Sequence, residues 1–223
     1  MAYILQLETA TTNCSVALSF NGETVALKEL SNGYSHAENL LVFIKEVLSN
    51  QNIDYSSLSA IAISKGPGSY TGLRIGVSTA KGLCYALGIP LISVETLEVL
   101  VRQINVSEGF IVPMIDARRF EAYTKVFTSD YKQYRKIQAE ILTEDSFKEI
   151  LSEGKVVFVG NKTEKTKEMI QHQNASFIDT LPSANQMSEL AYNKYKKNDI
   201  EDVAYFEPYY LKDFLVTPSK KKF

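Results

Sequence analysis

LSAIAISKGPGSYTGLRIGVSTAKGLCYALG, residues 58–88, decides the fold. It opens with a seven-residue apolar run, Leu58–Ser64, bounded by turn residues, which reads as a buried strand. Lys65-Gly66-Pro67-Gly68-Ser69 follows as a loop. From Tyr70 to Leu87 the pattern is helical, and Gly88 and Pro90 stop it. A strand, a glycine loop and a long helix in that order belong to an α/β protein.

Working back from that unit, residues 35–49 read as a helix. Ser35 is its cap, and Glu38, three residues on, completes a capping box. Before it lie three strands: Tyr3–Glu8, Cys14–Phe20 and residues 23–31. The second and third are joined by Asn21-Gly22, a pair that tolerates the positive φ of a tight hairpin. Working forward, residues 110–116, 120–127 and 133–142 read as strands. A helix over 143–152, a strand over 155–159 and helices over 162–171 and 183–196 follow. Each half therefore reads βββαβα, which predicts two similar lobes. The lobes are placed at 1–105 and 106–211, with a flexible basic tail over 212–223.

The chain has 223 residues and a formal net charge of −2, with 45% hydrophobic residues. That charge lacks the basic excess of an autonomous nucleic-acid binder. Two cysteines, Cys14 and Cys84, make no secretory disulfide framework. The first residues read as a strand, and no apolar run reaches membrane-spanning length. The expectation is a cytoplasmic protein with no membrane contact.

Catalytic signatures are sparse. The loop at Gly66, Gly68 and Gly72 precedes a helix, where backbone amides attract anions. A P-loop, however, ends in Gly-Lys-Ser/Thr, and here the sequence is Gly72-Leu73-Arg74. The glycines then shape a turn and permit close packing. The two histidines, His36 and His172, have no metal-ligand spacing and read as surface or partner contacts. Glu8 and Thr9 end the first strand. Asp116, with Arg118 and Arg119, ends the corresponding strand of the second half. These residues are candidates for an interlobe cleft, where α/β sheets bind ligands. An internal Asp–Arg network that fixes the hairpin is the competing reading.

Both long helices carry more apolar surface than one sheet needs. Gly72, Gly76 and Ala80 recur every four residues on the second, a spacing that lets another backbone approach closely. That helix is either a core helix or is covered in part by another chain. A covered stripe of roughly 600 Å2 at ~25 cal/mol/Å2 has a gross drive on the order of 15 kcal/mol. The candidate partner face is His36, Leu40, Phe43, Ile44 and Val47 on the first helix, and Arg74, Val77, Ala80, Lys81 and Cys84 on the second.

Five segments carry a resemblance: Ile4 to Thr9, Cys14 to Leu18, Gly66 to Gly76, Ala80 to Leu83, and Asp116 to Arg119. Pro208-Tyr209-Tyr210-Leu211 extends it. Together they resemble the TsaB (YeaZ) family along essentially the whole chain. The resemblance implies a two-lobed, actin-like ATPase (ASKHA) fold of two ribonuclease-H-like halves. It further implies a non-catalytic relative of the enzyme TsaD, which transfers a threonylcarbamoyl group to adenosine 37 of tRNA. The implied partners are a TsaD-like catalytic subunit and a TsaE-like ATPase, with a homodimer when alone and tRNA met only through the complex. No cofactor of its own is implied; ATP or ADP and a divalent metal are expected on the partner subunits. In the enzyme a His-x-x-x-His motif follows the strand after the second long helix, and Thr96 and Leu100 match those positions here. Glu8 departs from the Asp common in the family, which argues against a phosphate or magnesium role for that loop. The alternative is an autonomous ATP-binding phosphotransferase using Glu8 and Asp116 around magnesium. A metalloprotease is the third reading, and the missing metal spacing opposes it.

Overall fold

The computed structural model describes residues 1–31, 35–118 and 120–212. Arg119 and all but the first residue of the expected tail lie outside the described residues.

Two five-stranded mixed sheets form the frame. The first contains β1 (Tyr3–Glu8), β2 (Cys14–Phe20), β3 (Glu23–Leu30), β4 (Leu58–Ser64) and β5 (Leu91–Val94), in the order β3-β2-β1-β4-β5. The second contains β6 (Phe110–Asp116), β7 (Glu121–Thr128), β8 (Gln133–Ile141), β9 (Val156–Gly160) and β10 (Ala175–Asp179), in the order β10-β9-β6-β7-β8. Read from opposite ends, the two orders are the same. In both sheets the first three strands are antiparallel and the last two run parallel to the central strand. The two-lobed actin-like plan is therefore present, and each half has one strand more than βββαβα provides.

Among the described residues, six α-helices cover these sheets: α1 (His36–Ser49), α2 (Tyr70–Leu87), α3 (Thr96–Val101), α4 (Lys148–Glu153), α5 (Thr163–Met169) and α6 (Met187–Lys196). The central strand β1 is buried on both sides because both faces of its sheet are covered. Leu5 and Leu7 pack with α1 and α2, and Ile4 packs with α6.

The halves exchange their last helices. After β5 the chain leaves the first sheet, and α3 packs Leu97, Leu100 and Val101 against Ile115, Ile111, Phe127 and Val159 of the second. After β10 it returns, and Met187, Leu190 and Ala191 of α6 pack against Ala17, Ala60, Ala62 and Ile92 of the first. The second lobe expected over 106–211 thus gives up its final stretch to the first sheet. The physical reason is that the rear face of the first sheet is apolar and α3 has gone elsewhere.

Most local signals agree with the structure. Asn21 and Gly22 have φ of 51° and 92°, as the hairpin turn requires. Ser69 Oγ accepts from Gly72 N, and Gly88 ends α2 in the left-handed region at φ 66°. The capping box at α1 does not form: Asn39 Nδ2 takes the Ser35 hydroxyl at 2.8 Å, and Glu38 contributes no side-chain cap. The helix expected over 143–152 is shortened to α4, with turns before it.

Candidate functional site

Gly72 and Gly76 of α2, with Gly68 just before it, make room for the chain that leaves the first strand. A Cβ at Gly72 would lie 2.1 Å from Thr9 O, one at Gly76 2.2 Å from Thr9 Oγ1, and one at Gly68 2.3 Å from Ala10 O. Thr9 Oγ1 donates to Gly72 O at 2.8 Å, and Ser69 N donates to Ala10 O at 2.7 Å. The four-residue spacing does mark a close backbone approach, and the approaching backbone is the exit of β1.

Glu8 lies on the other face of β1, the side of Ile4, and is enclosed there. Its carboxylate is fully buried, Oε1 accepts from Ala10 N at 2.6 Å, and Oε2 has no hydrogen-bond partner. Burial pushes its pKa up to about 7, against the opposing hydrogen bond from Ala10 N. Burial, followed by the Glu8 charge, pushes the Cys14 thiol up to about 11. Glu8 and Thr9 are therefore interior residues and not part of the cleft wall, a correction to their assignment.

The cleft between the lobes has a volume of about 500 Å3. Thr11, Thr12 and Ser69 contribute one wall, and Asp116, Arg118, Tyr123 and Asn161 the other. Asp116 Oδ1 accepts from Lys162 Nζ at 2.6 Å and from Arg118 N at 3.1 Å, while Asn161 Oδ1 accepts from Asp116 N at 2.9 Å. Arg118 has φ 72°, a left-handed conformation that this Asx-type turn holds in place. Asp116 is thus tied into a turn network, as the structural reading of the motif expected. Lys162 carried no expectation; its side chain is buried, and only the folded turn shows its role.

The partner-face residues need a larger correction. Leu40, Phe43, Ile44, Val47, Val77, Ala80 and Cys84 are all buried in one cluster with β1, β2 and β4. His36 is also buried, with Nε2 2.8 Å from Thr11 O, and burial lowers its pKa. These side chains are the core of the first lobe because α1 and α2 turn that side to the sheet. Lys81 Nζ donates to Ala204 O and Phe206 O at 3.1 and 2.9 Å. Arg74 Nε donates to Tyr210 Oη at 3.3 Å, and its guanidinium sits 4.1 Å from the Tyr70 ring centre. Both cations are held by the chain's own end.

The opposite sides of the same helices remain open. Leu41 is 59% exposed, Val42 49% and Tyr85 86%. A Cβ at Gly82 would meet nothing within 4 Å. The sequence signal for this face was the apolar residue count of α1. It could not show that Leu41 and Val42 face out while Leu40 and Phe43 face in.

Thr96 and Leu100 are wholly buried. Thr96 Oγ1 lies 2.6 Å from Ser64 Oγ. Among the described residues no three His, Cys, Asp or Glu side chains are grouped so as to hold a metal ion. No helix among them is long and apolar enough to cross a membrane.

Comparison with known proteins bears on this geometry. The family model described as TsaD, tRNA N6-adenosine threonylcarbamoyltransferase, matches residues 32–218. The tRNA threonylcarbamoyladenosine biosynthesis protein TsaB of Bacillus subtilis is 32% identical over 220 residues, covering 94% of this chain and 93% of that protein. The Haemophilus influenzae protein of the same name is 28% identical, covering 94% and 93%. Among solved structures, YeaZ from Pseudomonas aeruginosa superposes with a TM-score of 0.83 at 25% identity, covering 95% of this chain and 100% of that one. Component A of (R)-2-hydroxyglutaryl-CoA dehydratase from Acidaminococcus fermentans shares the fold at a TM-score of 0.51 and 12% identity, covering 89% and 100%. With a family match across most of its length and full-length relatives around the same doubled sheet, this chain belongs to the TsaB (YeaZ) family, within the group described by the TsaD family model.

Proposed function

We propose that this chain serves tRNA threonylcarbamoyladenosine biosynthesis, the process for which its relatives are named, as a non-catalytic subunit that pairs with a TsaD-type catalytic subunit. The observation that carries the pairing is the exposure of Leu41 and Val42 on α1 and of Tyr85 on α2, the helix whose Gly82 is also open. Apolar side chains grouped on two adjacent helices mark a surface that gains by being covered. Aromatic anchors such as Tyr85 are the residues that most often dominate such contacts.

The non-catalytic part is supported by the residues at the matched positions. Thr96 and Leu100 offer no imidazole, and Thr96 is engaged by Ser64. Glu8 is enclosed and is not among the residues that line the cleft with Asp116, which speaks against a two-carboxylate magnesium site. In this reading ATP or ADP and a divalent metal are handled by the TsaD-like and TsaE-like partners in the cytoplasm. A second copy of this chain covers the same face when no partner is present.

Reconstituted tRNA modification tests the role. Purified TsaD-type and TsaE-type subunits with tRNA should form threonylcarbamoyladenosine at full rate only when this chain is added. Equal product formation without it would remove the accessory role.

A further inference from the structure

We propose that residues 199–212 form a clasp that sets how far the two lobes stand apart across the cleft. The segment leaves α6 and runs along the first lobe. Glu201 N donates to Leu91 O at 2.8 Å, and the Ser93 hydroxyl donates to the Glu201 carboxylate. Val203 and Phe206 pack against the α1–α2 core, while Lys81 holds the carbonyls of Ala204 and Phe206.

Two contacts then bring the chain to the mouth of the cleft. Tyr209 N donates to Lys65 O at 2.7 Å, and Gly66 makes room for it, since a Cβ there would lie 2.9 Å from Tyr209 O. Tyr210 packs on Tyr70 with ring centres 5.1 Å apart, and its hydroxyl accepts from Arg74. From that anchor Tyr209, Tyr210, Leu211 and Lys212 line the cleft. Lys212 then pairs with Glu121 at the start of β7, in the second lobe.

The division of contacts gives the segment its action. The ties from Glu201 to Tyr210 described above are all to the first lobe, through hydrogen bonds and ring packing. Among the described residues, the segment's ion pair to the second lobe lies at the far end, about a third exposed, with side-chain exposures of 38% and 30%. Such a pair is weak and exchangeable. It can release without disturbing the anchor, so the lobes open while the segment stays on α2. Arg74 and Lys81 of α2 hold the segment, so the same helix carries both the outer face and the clasp.

The test is amide hydrogen exchange on the full chain, comparing wild type with Lys212→Glu and Tyr210→Ala. Exchange in peptides covering 9–13 and 116–123 should rise roughly two- to fivefold in Lys212→Glu, as loss of an exposed pair allows. It should rise further in Tyr210→Ala, which loosens the anchor. Amides of β1, β4 and β9 should keep wild-type rates in both. Glu121→Lys combined with Lys212→Glu should restore the wild-type rate by reversing the pair. Unchanged exchange at the cleft in Lys212→Glu would overturn the clasp. Equal acceleration across β1 and β4 would overturn it too, because the segment would then be a plain part of the fold.

Discussion

Replacing Glu8 with glutamine probes the interior on the Ile4 side of β1. The carboxyl is fully buried with one oxygen unpartnered, and its pKa is raised from 4.5 to about 7 by burial. A carboxyl whose folded pKa lies above its unfolded value binds its proton more tightly in the native state. Its contribution is fully present below pH 4.5, is lost as pH rises toward 7, and stays lost above that. A difference of two to three units corresponds to about 3 kcal/mol between the ends of that window. The glutamine amide keeps an oxygen for Ala10 N and carries no charge. Urea unfolding of both proteins at pH 4.5, 6, 7 and 8 reads the difference. Glu8→Gln should gain about 3 kcal/mol relative to wild type between pH 4.5 and 8, with most of the change below pH 7. Parallel stability curves across that range would refute the buried, proton-holding carboxyl.

Other substitutions follow from the same contacts. Val77→Asp or Ala80→Asp places a charge in the α2 core and should cost more than about 4 kcal/mol, seen as an unfolded chain by circular dichroism and not as a folded one lacking its partner. Gly72→Ala sets a methyl 2.1 Å from Thr9 O and should destabilise by roughly 1–3 kcal/mol or more in urea titration, whereas Gly82→Ala, facing open space, should leave stability equal or slightly higher. Lys125→Met removes the 3.0 Å partner of the half-hidden Glu95 between the lobes and should lower the melting temperature by several degrees, while Lys132→Met at an exposed pair should change it little.

Much of the fold was legible because local chemistry and tertiary packing agree. The stop of α2 at Gly88 follows the sequence reading, and the Ser69 cap at its other end, which carried no expectation, is shown by the fold. The Asn21-Gly22 turn fixes the first hairpin. The strand β5 is four residues between Pro90 and Glu95, and β10 is a short edge strand with Asp179 at its end; neither is long enough to show a period. The exchange of α3 and α6 could not be read from the chain, because short apolar helices do not say which sheet they will cover.

The site was legible in part. Asp116 and Arg118 do meet at the cleft, and the turn that joins them is written in consecutive residues. The apolar candidate partner residues lie on the sides of α1 and α2 that face the sheet. Leu40 and Leu41 are chemically alike, and only the orientation of the sheet separates them: one is core and the other solvent. The glycine spacing carried a true message about close approach, while the approaching group was Thr9, sixty-three residues earlier than its contact Gly72.

The proposed pairing meets its most direct measurement in co-purification of a tagged TsaD-type subunit with this chain carrying Leu41→Glu and Tyr85→Ala. Both positions are exposed, so the variant should melt at the wild-type temperature and yet fail to remain with the partner. Full retention of the folded variant would contradict the account and move the contact away from the outer face of α1 and α2.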